Sequence, residues 1–250
     1  VIPTFISETL SKFYYRESPQ RKKELILKTN IKGVGVKDGS FISQLVGSNL
    51  VANYNFYQNY IGFFGKDFAS PIGEGWKANY KYYLGDTVKV EGRVCYQIDY
   101  EPKNPMDLVF TGQVWIDTTN FALVQIDASV DKKANLNFID KIKISQELEQ
   151  TAFGVWLPAK TRFLIDLEEI TKGSAGMLLK MYISNKDFVV NEPKPLEFYD
   201  MASEVAENAK EPDPNFWKNA RFEPLSSQDL LASSLIDSVR NLPVVKTYVE

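Results

Sequence analysis

The 250-residue chain contains no histidine and only one cysteine, Cys95. The absence of histidine excludes His-containing catalytic triads, His-ligated zinc and the commonest general base at neutral pH. With a single cysteine no intrachain disulfide can form, and a thiol nucleophile without a histidine partner is disfavoured. Cys95 lies in a predicted strand, and we interpret it as a small buried apolar residue.

The motifs that mark common enzyme and cofactor sites are also missing. The sequence has no P-loop, no EF-hand loop, no C-x-x-C pair and no G-x-S-x-G nucleophile elbow. Asp99 and Glu101 would share one face of a strand, but nothing marks either carboxyl as buried, as the acid of a glycosidase requires. We therefore predict that the protein is not an enzyme and has neither a metal nor a cofactor.

Long apolar runs and a basic charge bias are absent too. No run reaches the length of about 18 apolar residues that a transmembrane helix needs. The net charge of −3 disfavours a nucleic-acid partner. No signal peptide is visible, and the chain begins at Val1 rather than at Met, so we interpret it as an internal piece of a longer polypeptide or as a trimmed mature chain.

Residues 108–130 carry the clearest pattern in the sequence. Every second residue is apolar on both arms of this stretch, namely Leu108, Phe110, Val114 and Ile116, then Ala122, Val124, Ile126, Ala128 and Val130. Such alternation is typical of β-strands. The polar residues 117–120 between the arms favour a turn. The stretch therefore predicts a long β-hairpin.

Similar strands flank this hairpin and extend it into an antiparallel array. The predicted strands span residues 76–84, 93–101, 107–117, 121–130, 141–150, 155–167 and 177–187. Most of the connections are short and contain Gly, Pro, Asn or Asp. The fold class predicted is α+β, with a strongly curved antiparallel sheet, a half-barrel of about seven or eight strands, covered on one face by N-terminal helices.

Helices are predicted before and after the array. Apolar stripes at helical spacing indicate helices over residues 2–15, 41–46 and 54–64. After residue 190 several prolines divide the chain, a short helix is predicted over 200–210, and the capping box Ser226-x-x-Asp229 predicts a helix that runs to about Arg240. We expect a domain at 1–190 and a tail at 191–250 that packs on it or links it to a following domain.

Several short motifs along the chain occur together in one known family. They are Phe5-Ile6-Ser7-Glu8, Ser18-Pro19, Tyr57-x-Asn59-Tyr60-Ile61, Phe68-x-Ser70-Pro71, Tyr80-x-Tyr82-Tyr83-Leu84, Phe110-Thr111-Gly112-x-x-Trp115-Ile116, Ala134-Asn135-x-Asn137 and Gln146-Glu147. Through them, residues 1–240 resemble an uncharacterised envelope-protein family of Gram-negative bacteria. In that family a carboxypeptidase-regulatory-like β-domain precedes this module, and an outer-membrane β-barrel follows it. The central strands also resemble, more distantly, the half-barrel of periplasmic lipoprotein carriers, which bind acyl chains.

The resemblance implies a periplasmic location, attachment to the outer membrane through other parts of the polypeptide, and no catalytic residues. Two hypotheses follow. In the first, a non-catalytic module binds a lipid or an acyl chain between sheet and helices, in a pocket lined by Phe56, Tyr60, Phe64, Phe110 and Trp115. In the second, a structural or protein-interaction domain couples the outer-membrane barrel of the same polypeptide to periplasmic partners.

Overall fold

The computed structural model describes residues 5–33, 54–63, 65–134, 136, 139–168, 176–211 and 213–240. Its contacts divide the chain into two compact units. One unit comprises residues 53–190, and the other combines residues 1–52 with residues 191–250. This grouping differs from the predicted division into 1–190 and 191–250, because the carboxy-terminal segment packs on the amino-terminal strands.

A seven-stranded antiparallel sheet forms the body of the unit at residues 53–190, and its strands follow one another in chain order. These strands are β5 (Tyr80–Val90), β6 (Arg93–Pro102), β7 (Thr111–Asp117), β8 (Leu123–Asp131), β9 (Ile139–Gln150), β10 (Trp156–Leu167) and β11 (Met177–Ser184). The predicted meander of seven strands is confirmed. The predicted strong curvature is wrong: β5 and β11 do not pair, and the sheet is neither closed nor strongly curled.

The two faces of this sheet differ because successive side chains of a strand point to opposite sides. The covered face is apolar, and one row of paired residues on it consists of Tyr82, Tyr100, Gly112, Ala128, Ile144, Phe163 and Met181. The opposite face is polar, and its corresponding row consists of Tyr83, Asp99, Gln113, Asp127, Ser145, Arg162 and Tyr182. One apolar and one polar face is the usual arrangement in an antiparallel sheet.

A tyrosine bridges three neighbouring strands at the middle of the apolar row. The Tyr100 hydroxyl on β6 donates a hydrogen bond to the Asp127 carbonyl oxygen on β8, at 2.8 Å. The ring passes over Gly112 of β7, where an added Cβ would lie 1.9 Å from the same carbonyl oxygen and 3.0 Å from the tyrosine hydroxyl. Only glycine leaves room for this contact, in which an aromatic ring covers a strand glycine.

Among the described residues, those at 54–63 and 65–71 cover the apolar face, and none of them is helical. Residues 54–59 run through turns into the hairpin of β3 (Tyr60–Phe63) and β4 (Lys66–Ala69), so the helix predicted over 54–64 is wrong. The Gln146 amide donates to the Tyr54 carbonyl oxygen at 3.0 Å, and the Tyr54 ring lies 4.7 Å from that of Phe163. The helix predicted over 41–46 lies outside the described residues. A single helical turn, α1 (Trp76–Asn79), leads into β5.

The other unit is built on an amino-terminal hairpin of β1 (Phe5–Arg16) and β2 (Arg21–Gly33). The helix predicted over 2–15 is therefore wrong. Ile6 and Leu10, which suggested a helical stripe, also share one face of a strand, and the pairing with β2 decides between the two. The short strand β12 (Ser203–Val205) adds to β2 in parallel, where a helix was predicted over 200–210.

Charged side chains on one face of this hairpin hold the carboxy-terminal segment. Lys23, itself buried, pairs with Glu204 at 2.7 Å, and Lys28 donates to the Asn208 carbonyl oxygen at 3.0 Å. On β1, Glu8 accepts two hydrogen bonds from the Arg221 guanidinium, at 2.6 and 2.9 Å. Bidentate pairs of this kind are among the stronger polar contacts in proteins.

Two helices complete the segment, α2 (Pro214–Ala220) and α3 (Ser227–Arg240). The predicted capping box is confirmed: the Asp229 backbone N–H donates to the Ser226 hydroxyl at 3.2 Å, and the Ser226 N–H donates to the Asp229 carboxylate at 3.2 Å. Among the helices in the described ranges, none combines the length and apolar character needed to span a bilayer.

The Tyr100–Gly112 contact predicts that a larger residue at position 112 destabilises the fold. Gly112→Ala should lower the free energy of unfolding by roughly 3 kcal/mol or prevent folding, since the new methyl group meets a backbone oxygen that cannot rotate away. Urea unfolding followed by circular dichroism measures the loss. Gly62→Ala is the matched control, because its Cβ would meet only the Asp67 side chain, at 3.7 Å. Equal stabilities of the two variants would contradict the role given to Gly112.

Candidate functional site

Two of the five predicted pocket residues come together in the structure. The rings of Phe56 and Phe110 lie 5.8 Å apart, and Phe68 adds a third ring 5.3 Å from Phe110. All three side chains are at most 1% exposed. They form the layer between the covering segment and the apolar face of the sheet, so the described part of the predicted pocket is filled by its own side chains.

The other three predicted residues do not join this layer. Tyr60 begins β3 and is 62% exposed. Phe64 lies outside the described residues. Trp115 pairs with Gln97 and Gln125 on the polar face of the sheet, and it is half-buried there. The alternation along β7 separates Trp115 from Val114, which lies on the apolar face, and this is why Phe110 and Trp115 cannot line one cavity.

Buried tyrosine hydroxyls fix the aromatic layer to the backbone. The Tyr80 hydroxyl donates to the Ala69 carbonyl oxygen at 2.5 Å and accepts from the Phe110 backbone N–H at 3.0 Å. Burial raises the pKa of Tyr80 and that of Tyr100. Both phenols therefore stay protonated at physiological pH and act as hydrogen-bond donors within the core.

An open cleft of about 290 Å³ lies beside Tyr60. Its lining consists of Asn59, Tyr60, Ala69, Glu74, Gly75 and Asn79. Asparagine and glutamate side chains occupy much of this wall, and the Glu74 backbone N–H and carboxylate bond to Asn59 at 2.9 and 3.4 Å. The cleft is open to solvent and its lining mixes polar with apolar surface, whereas a pocket for an alkyl chain is enclosed and mostly apolar.

Arg93 ties together three hairpins at one end of the seven-stranded sheet. The turns after β5, β7 and β9 all lie at this end, because consecutive connections of a meander alternate between the two ends. The Arg93 guanidinium donates to the Asp117 carboxylate at 3.2 Å and to the Gln150 amide oxygen at 3.0 Å. Its centre also lies 4.6 Å from the Trp156 ring, within the range of a cation–π contact.

The Asp117 carboxylate organises the turn between β7 and β8. It accepts the backbone N–H groups of Thr119 and Asn120, at 2.7 and 3.3 Å. The Thr119 bond is the largest cause of a lowered pKa of Asp117, and the Asn120 and Arg93 bonds act in the same direction. The side chain is only 5% exposed, so this charge is held by the turn and by Arg93.

Large apolar side chains project from these braced turns. Phe121 is 70% exposed and has a φ of 58°, a left-handed conformation that is rare for a bulky residue. Phe153, in the next turn of this end, is 68% exposed and is followed by Gly154 with a φ of 78°. Val94 and Val155, at the same end of the sheet, are 44% and 40% exposed. We call these four residues the hairpin-tip patch.

No sequence motif marks the hairpin-tip patch. Phe121 was assigned to a strand because it follows the polar residues 117–120, and Phe153 lies in a connection that carried no motif. A phenylalanine at the tip of a short polar turn is the one signal that could have marked it. Exposure at a tip depends on the pairing of the strands, which only the structure provides.

The acidic pair Asp99 and Glu101 does share the polar face. Asp99 accepts from the Gln113 amide at 2.6 Å, while Glu101 accepts from the Tyr83 hydroxyl at 2.7 Å and lies 3.6 Å from Lys81. Cys95, by contrast, is fully buried, as predicted. Within the described ranges no three Cys, Asp or Glu side chains are grouped so that they could hold a metal ion.

The chain belongs to a family of unknown function, DUF5686, whose profile matches residues 2–184. The match covers β1, β2 and the whole of the seven-stranded sheet. No curated protein and no solved structure matches the chain.

The lowered pKa of Asp117 predicts a pH-dependent contribution to stability. A carboxylate with a lowered pKa stabilises the fold above the ordinary value of about 3.9, and this contribution is lost as the pH falls through the lowered pKa. Asp117→Asn should therefore cost about 1 kcal/mol at pH 7 and progressively less below about pH 4. Urea unfolding at several pH values measures both effects.

The control for this prediction is Asp86→Asn, which removes an exposed carboxylate from β5. That variant should follow the parent protein at every pH. A stability difference for Asp117→Asn that stays constant between pH 3 and pH 7 would contradict the proposed electrostatic role.

Proposed function

We propose that this chain is a non-catalytic interaction module of a larger bacterial envelope protein. In this proposal it couples an outer-membrane barrel of the same polypeptide to periplasmic partners, and the hairpin-tip patch contacts the partner. The observation that carries the proposal is the pair of exposed phenylalanines, Phe121 and Phe153, on neighbouring turns.

Exposure of these rings has no structural benefit for the isolated module. An apolar side chain in water loses the stabilisation of about 2 kcal/mol that burial would provide. Phe121 also holds a left-handed backbone conformation, which for a residue with a Cβ costs about 1 kcal/mol. Residues with a strained backbone and exposed apolar side chains are concentrated at the binding sites of proteins.

The base of the patch is rigidly held, as a recognition surface requires. Arg93 joins the three hairpins, and the Thr118 backbone N–H and hydroxyl donate to the Val94 carbonyl oxygen at 3.0 and 3.1 Å. The β9–β10 turn is closed by a hydrogen bond from the Thr151 N–H to the Val155 carbonyl oxygen at 2.8 Å. A preorganised surface pays less conformational entropy on binding, which favours affinity for a partner.

The cellular setting in this proposal rests on the motifs that resemble the Gram-negative envelope family. Those motifs include Phe110-Thr111-Gly112-x-x-Trp115-Ile116, which spans the centre of the sheet. In such a protein this module would lie between the outer-membrane barrel and the other domains, and one side of it would contact periplasmic proteins. An end of the sheet that presents several turns together suits such a contact.

Photo-crosslinking tests the proposed partner surface in the intact protein in its own cells. A photoreactive phenylalanine analogue at position 121 or 153 should yield discrete protein adducts. The same analogue at Met106, which is 73% exposed in the connection at the opposite end of the sheet, is the control. Changing both Phe121 and Phe153 to Ser should reduce recovery of the adduct partner at least tenfold without lowering the Tm.

Equal crosslinking at positions 106 and 121 would overturn this function. So would full recovery of the partner by the double variant. If only lipid adducts form, the hairpin-tip patch contacts a membrane surface and not a protein partner.

A second candidate function is the binding of a hydrophobic ligand, such as a lipid or an acyl chain, between the sheet and the segment that covers it. It is favoured by the continuous apolar layer of Phe56, Phe68 and Phe110. Since these rings contact one another, a bound alkyl chain would have to separate them. This candidate requires the cover to open, whereas the interaction module does not.

Native mass spectrometry of protein extracted gently from envelopes tests the second candidate. A ligand in the layer should appear as an added mass that disappears when Phe56 is replaced by a larger Trp, which would fill the space of a chain. The Tyr60→Trp variant is the control, since Tyr60 is exposed. An apo mass for the parent protein under conditions that preserve lipid adducts would rule this candidate out.

A further inference from the structure

A row of side chains on the polar face of the sheet coincides with three β-bulges. The row runs through Gln97, Trp115, Gln125, Glu147 and Lys160 on consecutive strands. Beside it, the pairing shifts between Leu84 and Thr87, between Trp115 and Ile116, and between Pro158 and Lys160. At the first shift Gly85 and Asp86 together lie opposite Gln97, and the extra residues at the other two shifts are Val124 and Ala159.

Bulges change the direction of the side chains next to them and bend the strand locally. A single bulge in a sheet is common. Here three bulges lie along one row, so all three change the direction of side chains in that row. At the first, Gly85 lies so close to β6 that an added Cβ would be 3.2 Å from the Gln97 carbonyl oxygen. Bulges are frequent beside binding sites, where they redirect a side chain.

Within this row Trp115 lies between two amide side chains, Gln97 and Gln125. It is half-buried, as are Gln97 and Gln125. Within the part of the chain that the structure describes, the two carboxamides form no hydrogen bond. The indole N–H of Trp115 has no partner among these residues either. The row thus presents an aromatic surface flanked by free groups that both donate and accept.

The charged groups around Trp115 are already paired. Glu147 lies 3.1 Å from the Lys160 ammonium and 3.9 Å from the Arg162 guanidinium. In the adjacent row Asp99 accepts from Gln113 at 2.6 Å, and Asp127 accepts from the Ser145 hydroxyl at 2.6 Å. A charged ligand would have to break these pairs, whereas a neutral ligand would leave them intact.

We propose that the row Gln97–Trp115–Gln125 is a binding site for a neutral oligosaccharide. The C–H face of a sugar ring covers the Trp115 indole, and the sugar hydroxyl groups bond to the two carboxamides. Strands in a sheet lie about 4.8 Å apart, so the two glutamines are about 10 Å apart, a span that holds one to two sugar rings. The site is separate from the hairpin-tip patch and does not depend on the function proposed for it.

Other ligand classes fit these groups less well. An alkyl chain would leave both carboxamides without partners after desolvation, at a cost of about 1–3 kcal/mol for each. A nucleic acid would require cations for its phosphates, and here the Lys160 ammonium is engaged by Glu147. A polyhydroxylated neutral ligand satisfies the amides and the aromatic surface together.

Affinity electrophoresis of the full chain tests the site. The gels contain one polysaccharide each: dextran, laminarin, xylan, galactomannan or pullulan as neutral probes, and hyaluronan as a charged one. At least one neutral probe should retard the parent protein, and Trp115→Ala should weaken that interaction at least tenfold. Changing Gln97 and Gln125 together to Ala should weaken it by a similar factor, while Trp115→Phe should retain part of it.

Tyr182→Ala is the matched control, because Tyr182 is a 57% exposed aromatic residue of the same polar face but lies on the edge strand β11. It should bind like the parent protein. Thermal unfolding establishes that each variant is folded, and the double glutamine variant keeps the test valid if Trp115→Ala does not fold. Retardation by none of the neutral probes, retardation by hyaluronan alone, or unchanged binding by both Trp115→Ala and the double variant would overturn the proposal.

Discussion

Each strand of the seven-stranded sheet can present only every second side chain to its covered face, and most features of this unit follow from that constraint. Phe110 and Val114 lie on the covered side, and Trp115 must then lie on the other. The covered face has room for a continuous aromatic layer only because Gly112 lets the Tyr100 ring cross β7. The amide side chains and the paired charged side chains lie on the polar face.

The same geometry places the exposed apolar residues at one end. Alternate connections of a meander lie at the same end of the sheet, so the turns that carry Phe121 and Phe153 are neighbours. Arg93 can then connect side chains that are far apart in sequence, from Asp117 to Gln150. A rigid base beneath exposed aromatic rings is the arrangement expected of a surface that binds a partner.

Strand positions were well predicted where alternation and turn residues agreed, as in β7, β8 and β9. The capping box at Ser226 was equally informative, since both of its hydrogen bonds form within four residues. The helix over 2–15 was predicted wrongly because apolar residues at i and i+4 suit a strand as well as a helix. Only the pairing of β1 with β2 distinguishes the two, and that pairing is not local.

The candidate site was predicted only in part. Phe56 and Phe110 do lie together, but as packed core, because an aromatic-rich segment fills a space as readily as it lines one. The bulges beside Trp115 could not be foreseen, since a shift of one residue in pairing leaves no mark in the sequence.

By itself, then, the sequence determined which segments are strands in the central meander, which turn residues join them, and which chemistry is excluded by the absence of histidine. These properties depend on neighbouring residues or on composition alone. The tertiary structure decided which face each aromatic residue occupies, that the carboxy-terminal segment packs on the first hairpin, and that the turns carrying Phe121 and Phe153 lie at the same end of the sheet. Those outcomes depend on register and on contacts between residues far apart in the chain, and their energies appear only once the strands have paired.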